Sequence, residues 1–340
     1  MGRSDLATTV AAAVIVLAAL FGGGFGTGVA AALIPKDTSG RGVHACGRPK
    51  KSCPITTTLP STSSTTSTTS TTTTSTPTTT ATTTTGATTT TPTTTNSSTT
   101  DPSGVPMPTG DPSGWHKIFA DDFTLGVSLG DFPAAVSSTW RAYPCCWRDT
   151  SGTGTYWPQK GISIHDGVMD LWLHTETING VTYHISEAPQ PVLPLPTRGQ
   201  LYGRYAIRFK ADPVQGYKTA WLLWPDDGSR AEGEIDFPET NTLDGGTIHG
   251  FVHPVDYGSQ AAFGSGVPEA GGWHTAVMEW SPNDVKFLLD GVQIGESTTG
   301  IPSTLMHFVI QTETQLSGGA PPDSASGHIL IDWVAVYAPA

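Results

Sequence analysis

The sequence predicts an all-β fold, a sandwich or barrel, preceded by a long unstructured tether. Three observations carry this. Past Asp111 apolar and polar residues alternate with period two along several runs, the signature of half-buried strands. Frequent Gly and Pro separate those runs as turns. No long run shows helical spacing, and the compositionally ordinary part of the chain, about 230 residues, is enough for one sizeable core.

Taken in order, the chain opens with an uncharged stretch from Ala7 to Pro35 behind Arg3, containing an apolar Val10–Phe21 run, Gly22-Gly23-Gly24 and the small residues Ala30-Ala31-Ala32. Residues 1–35 read as a signal peptide or a membrane anchor, and both readings place the rest outside the cytoplasm, secreted or on the cell surface. Residues 36–54 form a short basic segment in which Cys46 and Cys53 can close a small loop in an oxidising compartment. Residues 55–110 are dominated by Thr and Ser with some Pro, too poor in apolar side chains to offset their ordering entropy, and read as a disordered linker. Residues 111–340 form the globular domain.

Within it, Val168–His174 follows an Asp166-Gly167 turn as one strand. Tyr205, Ile207 and Phe209 alternate with Ala206, Arg208 and Lys210 in another. Val285, Phe287 and Leu289 lead into Asp290-Gly291, a strong hairpin signal, and Val292 and Ile294 return. Near the C-terminus Ile329, Ile331, Trp333, Ala335 and Tyr337 are expected on one strand face, with Leu330, Asp332, Val334 and Val336 on the other. Trp280 and Trp333 are assigned to the core. Cys145 and Cys146 are adjacent, either a vicinal disulfide or two thiols. No Cys-His spacing suggests zinc and no Gly-rich loop suggests a phosphate site.

From Asp111 onward 11 Lys and Arg face 26 Asp and Glu, so the domain's net charge is 11 − 26 = −15. That argues against nucleic acid and anionic lipid as partners and toward a neutral polymer.

The chemistry concentrates in Gly233-Glu234-Ile235-Asp236-Phe237-Pro238-Glu239. Glu234 and Asp236 share a strand face. Glu239 has the wrong parity, and a one-residue bulge at Phe237-Pro238 brings it to the same side, Pro being tolerated at bulges. Ile235 and Phe237 make the opposite face apolar. Two carboxyls on one groove, one ionised and one protonated, are what glycoside hydrolysis requires. Aromatic residues supply sugar-stacking surface: Trp221 and Trp224 before the acids, and Tyr143, Trp147, Tyr156 and Trp157 earlier. His249 and His253 share a strand face after the acids, and no third metal ligand is evident beside them. Gln311 shares a face with Glu313. The candidate substrate contacts are therefore Trp221, Trp224, His249, His253, Arg204, Gln311, Tyr143 and Trp147.

Glu234-Ile235-Asp236-Phe237-Pro238-Glu239 resembles the Glu-x-Asp-x-x-Glu signature of glycoside hydrolase family 16 in its bulged, laminarinase-like form. Gly203–Lys210, Ala220-Trp221-Leu222-Leu223, Trp273-His274 with Glu279-Trp280, Asp290-Gly291 and Ile331–Tyr337 follow in that family's order, over roughly Ile118 to Tyr337. The resemblance implies a concanavalin A-like jelly roll of two antiparallel sheets with a cleft across the concave one. It implies a retaining endo-acting glycanase, with Glu234 as nucleophile, Glu239 as general acid/base, Asp236 tuning both, Trp221 as a subsite platform and one of the two His beside the acid/base. The expected substrate is a β-glucan, first β-1,3-glucan, acted on by a monomer. The rivals are a transglycosylase remodelling a wall polysaccharide and a non-catalytic carbohydrate-binding module. No cofactor is required. Some family members hold a structural calcium through an Asp of the last strand, where Asp332 stands here. Pro238 in place of a frequent Met, and Gln311-Thr312-Glu313 in place of a frequent Asn-Leu stretch, are departures from the pattern.

Overall fold

Residues 101–340 are described by the computed structural model. Segments 1–35 and 36–54, with Cys46 and Cys53, and most of the Thr/Ser-rich run lie outside the described residues.

Alternating residues produce strands almost throughout: β1 (Trp115–Asp121), β2 (Trp140–Ala142), β3 (Gly154–Tyr156), one helical turn α1 (Pro158–Gly161), β4 (Ile162–His165), β5 (Val168–Ile178), β6 (Val181–Ser186), β7 (Pro189–Pro191), β8 (Gly203–Ala211), β9 (Tyr217–Pro225), β10 (Glu234–Thr240), β11 (Thr247–His253), β12 (Ala261–Pro268), β13 (Trp273–Trp280), β14 (Val285–Leu289), β15 (Val292–Ser297), β16 (Met306–Val309), β17 (Thr312–Thr314) and β18 (Ser326–Pro339). Among the described residues no helix is long and apolar enough to cross a membrane.

A ten-stranded sheet runs β15-β14-β13-β8-β18-β5-β6-β3, with β1 on β18 and β4 on β5. A six-stranded sheet runs β12-β11-β10-β9-β16, with β17 on β9, and β2 pairs with β7 apart from both. The expectation of two purely antiparallel sheets needs correction, because β3 and β6 pair in parallel. The intervening α1, β4 and β5 supply the crossover that a parallel pair needs.

The two large sheets enclose one core. Tyr205, Ile207 and Phe209 of β8, Met278 and Trp280 of β13, and Ile329, Ile331, Val334 and Val336 of β18 meet Trp221, Leu223, Ile235, Phe237, Ile248 and Val252 of the six-stranded sheet. The β14–β15 hairpin turns at Asp290 (φ 50°) and Gly291 (φ 81°), the paired left-handed residues that a two-residue turn needs.

The face assignment along β18 is also corrected. The register against β8 shifts between Ile331 and Trp333. That irregularity turns Ile329 and Ile331 inward on one side of it and Val334 and Val336 inward on the other. Trp333, Ala335 and Tyr337 are instead buried on the outside of the sheet, where Met107 and Trp115 cover them. Ser103 donates its backbone N–H to Asp332 Oδ2 at 3.3 Å, and Trp333 Nε1 donates to the Val105 carbonyl at 3.0 Å. The packed domain thus begins upstream of Asp111, within the stretch that composition assigned to the linker. Cys145 and Cys146 form a disulfide.

Candidate active site

Gly233 opens the acidic strand with φ 95°, and a Cβ there would come within 2.7 Å of Pro302 Cγ and 3.0 Å of the His253 carbonyl. Glycine therefore lets the chain leave the short turn Arg230–Glu232 and enter β10 close against its neighbours. On β10 Ile235 and Phe237 are buried in the core, so Glu234 and Asp236 take the opposite face. The register then slips between Asp236 and Glu239. Asp236 pairs with Phe251 and Glu239 with His249, two residues apart against three. The extra residue falls at Phe237-Pro238 and restores Glu239 to the face of Glu234 and Asp236.

Rows of side chains cross this face. Glu234 pairs with His253, and Asp236 lies between Phe251 and Leu222, the latter paired in turn with Val309. Glu239 lies between His249 and Ala220, whose N–H donates to the Gln311 carbonyl at 2.9 Å. The rings of His249, Phe251 and His253 form a stacked ladder at 6.0 and 6.1 Å. His249 is thus the histidine beside Glu239, held by an Nδ1–H donated to the Thr247 carbonyl at 2.8 Å.

Each acid has a partner. Arg230 Nε lies 2.7 Å from Glu234 Oε2, His253 Nε2 lies 2.8 Å from Asp236 Oδ2, and Lys218 Nζ donates to Glu239 Oε1 at 3.3 Å. Lys218 also stands 3.8 Å from Glu313 Oε2. Glu313 accepts from the Tyr156 hydroxyl at 2.5 Å and from the Thr150 hydroxyl at 2.6 Å. The Glu234 side chain keeps 17% of its surface, against 3% for Asp236 and 7% for Glu239, so access is narrow and favours Glu234.

Burial, then the neighbouring Asp236 charge, pushes the Glu234 carboxyl well above the usual range. Burial, then the Glu239 charge, does the same to Asp236. Burial pulls His253 down. Burial alone would lower Lys218, but the charges of Glu239 and Glu313 outweigh it and raise the ammonium. Asp236 Oδ1 has no partner. The free site therefore binds protons tightly at the Glu234–Asp236 pair, with Arg230 the cation that favours Glu234 as a carboxylate.

Glu234, Asp236 and His253 bring ligand atoms within 4.8 Å of one another, so His253 has the carboxylate company that sequence spacing did not reveal. This trio could hold a metal ion geometrically, in competition with the Arg230 and His253 contacts. The surroundings of Asp332 do not fit calcium. Its carboxylate takes both Ser103 donors, and the guanidinium of Arg208 bonds the same Ser103 hydroxyl at 3.0 Å. A calcium ion needs six to eight oxygens without a competing cation.

Two expected substrate contacts are corrected. Trp221 is fully buried in the core, packed on Phe209 at 4.7 Å between ring centroids, because odd-numbered residues of β9 point inward. Arg204 lies on the outside of the ten-stranded sheet, paired with Glu279 and 6.0 Å from the Tyr337 ring. Trp224 is on the acid face of β9, clustered with Tyr143, Tyr156, Leu222 and Val309. Trp147 is 58% exposed and packs on Tyr143 at 5.8 Å, forming an aromatic rim. Gln311 has the parity of Glu313 and is half-buried. Lys218 and Arg230 join the site without having been marked by strand periodicity. The signal for Lys218 was a lone cation inside the apolar run Tyr217–Leu223.

The family model for Glycosyl hydrolases family 16 matches residues 156–335, a span containing all three acids. The chain belongs to glycosyl hydrolase family 16. It is accordingly a glycoside hydrolase. Among solved structures it is similar to SCLam, a non-specific endo-β-1,3(4)-glucanase, with TM-score 0.56 and 19% identity over 69% of this chain and 95% of that one. It is similar to the laminarinase of Rhodothermus marinus, with TM-score 0.55 and 18% identity over 66% and 98%. It is also similar to the catalytic domain of an endo-1,3-β-glucanase from Thermotoga petrophila, with TM-score 0.52 and 17% identity over 66% and 98%. At these identities the likeness establishes the all-β sandwich fold shared with them. No curated protein matches the chain.

Proposed function

We propose that this protein is a retaining, endo-acting β-glucanase, with β-1,3-glucan as its first substrate. The observation that carries the reading is the register slip that puts Glu234, Asp236 and Glu239 on one face beside Trp224. Glu234, the most exposed of the three and the one held by Arg230, attacks the anomeric carbon. Glu239 delivers a proton to the leaving oxygen and later takes one from water. Retention needs the two carboxyls about 5–5.5 Å apart. The proton bound by the Glu234–Asp236 pair moves onto Asp236, toward His253, and leaves the nucleophile ionised when substrate arrives. Lys218 has two carboxylates to choose between. Shifted toward Glu313, it frees Glu239 to carry the proton.

In this reading the enzyme works outside the cytoplasm, with the Thr/Ser-rich run as its tether. The experiment is to incubate the full chain with a panel of β-glucans and galactans and to size the products. Mid-chain cleavage of β-1,3-glucan into short oligosaccharides is expected. No cleavage of any β-glucan, or release of monosaccharide alone, contradicts the reading. Added oligosaccharide acceptors separate hydrolysis from transfer.

A further inference from the structure

Outside the acid triad, one cluster has no role in the chemistry above. Arg141 of β2 pairs in register with Gln190 of β7, Arg198 follows β7, and His307 sits on β16 opposite Trp224. Arg198 donates through Nη2 to Gln190 Oε1 at 2.5 Å. The Arg141 charge acts on both Arg198 and His307, so the groups share one neighbourhood. Tyr143 ties it to the acids, since its hydroxyl lies in the fields of Arg198, Glu313 and Glu234 together.

Two features set this cluster apart. Among the described residues neither Arg141 nor Arg198 forms an ion pair, whereas Lys218 and Arg230 in the same face both do. The one carboxylate nearby, Asp226, is committed to His307 Nδ1 at 2.9 Å and to the Gly199 N–H at 2.9 Å. In a domain this acidic, two half-buried guanidiniums outside any ion pair, one of them in the field of Asp226, are costly unless an anion arrives. Three nitrogens there also lack partners: Gln190 Nε2, Arg198 Nε and His307 Nε2. Gln190 is 1% and His307 3% exposed, so solvent does not satisfy them. Gln190 and Arg198 offer donors. His307 gives its Nδ1–H to Asp226 and is held neutral by burial, with its pKa pulled down to about 4, so Nε2 is an acceptor for a hydroxyl.

We propose that Arg141, Arg198, Gln190 and His307, with Trp224 beside them, form a subsite for a sugar bearing an anionic group, a carboxylate or a sulfate, next to a free hydroxyl. The guanidiniums take the anion in charge-assisted hydrogen bonds, and His307 Nε2 accepts from the hydroxyl. The inference rests on the β-glucanase reading and refines its substrate to a glucan with acidic residues along it. The strongly negative domain argues for sparse substitution over a polyanion.

The test measures binding of three β-1,3-gluco-oligosaccharides to the full chain inactivated by Glu239→Gln: neutral, oxidised at C6 to the carboxylate, and sulfated. One anionic series is expected to bind about tenfold tighter than the neutral one, with the advantage shrinking as salt rises. The stronger arm identifies carboxylate or sulfate. Arg198→Gln, and independently the half-exposed Arg141→Gln, each reduce the anionic-to-neutral ratio toward one. Equal affinity for all three, or an advantage that survives both substitutions and high salt, overturns the proposal. Digestion of the same oligosaccharides by the unsubstituted chain separates the two claims. Cleavage without anionic preference sinks the subsite alone. Anionic preference in binding without cleavage of any of them sinks the glucanase reading alone.

Discussion

His253 Nε2 stands 2.8 Å from Asp236 Oδ2, joining the middle acid of β10 to its neighbouring strand. The contact fixes Asp236 next to Glu234 and gives their shared proton a second place to go. Asp236→Asn keeps the shape and removes the proton exchange. It is expected to lower kcat by about 10^2-fold. KM and the thermal unfolding midpoint should change little. His253→Asn should fall in the same direction by less. Steady-state kinetics with a melting curve for each variant checks this, and an unchanged kcat for Asp236→Asn counts against the relay.

Lys218 is a buried cation between Glu239 and Glu313. Lys218→Met removes the cation that holds Glu239 and Glu313 in place. kcat should then fall on the order of tenfold, because the acid/base loses the cation that positions it. Because Glu313 also loses its cation, stability should fall too. Steady-state kinetics recorded at a temperature where the variant is folded decide the point, and an unchanged kcat contradicts the assignment.

Trp221 and Trp224 should separate stability from binding. Trp221→Ala empties a core site and is expected to cost about 3–5 kcal/mol of stability. Trp224→Ala should leave the unfolding midpoint nearly unchanged and raise KM on the order of tenfold. Chemical denaturation and kinetics of both variants check the contrast. A Trp221→Ala variant of normal stability and raised KM would restore that residue to the site.

Glu269 is fully buried, and burial lifts its pKa from the ordinary 4.5 to about 8 against the opposing hydrogen bond from Thr219. The folded state therefore holds this proton more tightly than the unfolded chain does. Its contribution is complete below the unfolded value and is lost as pH rises through about 8. Stability should decline by roughly 1.4 kcal/mol per pH unit per such group across that window. Denaturation midpoints measured from pH 5 to 8 check it. Glu269→Gln, which retains an acceptor for Thr219, should flatten the slope by about one proton.

The sequence made some of this legible through short-range pattern. The acid strand could be read because Ile235 and Phe237 alternate with the acids, and the bulge because Glu239 had the wrong parity next to Pro238. The β14–β15 hairpin followed from Asp290-Gly291. Trp221 was misplaced because β9 is buried on both faces, with Leu222 at 3% exposure, so no alternation remained to mark the inner side. Trp333 changed faces at an irregularity that no Gly or Pro announces. Lys218, Arg230 and the Arg141–Arg198 cluster depend on strands distant in sequence meeting in space, which periodicity does not encode. The first residues of the packed domain have linker composition, dominated by Pro, Ser and Gly, although Ser103, Val105 and Met107 anchor them to β18.

Glu234 and Glu239, brought to one face by the slip in β10, are proposed to flank one glycosidic oxygen. Azide rescue on an activated β-glucoside tests this most directly. Glu234→Ala and Glu239→Ala should each lose activity, the latter by roughly 10^2–10^4-fold. With azide, Glu234→Ala should yield the α-glycosyl azide and Glu239→Ala the β-glycosyl azide. The opposite pairing of products, or full activity in either variant without azide, would contradict the account.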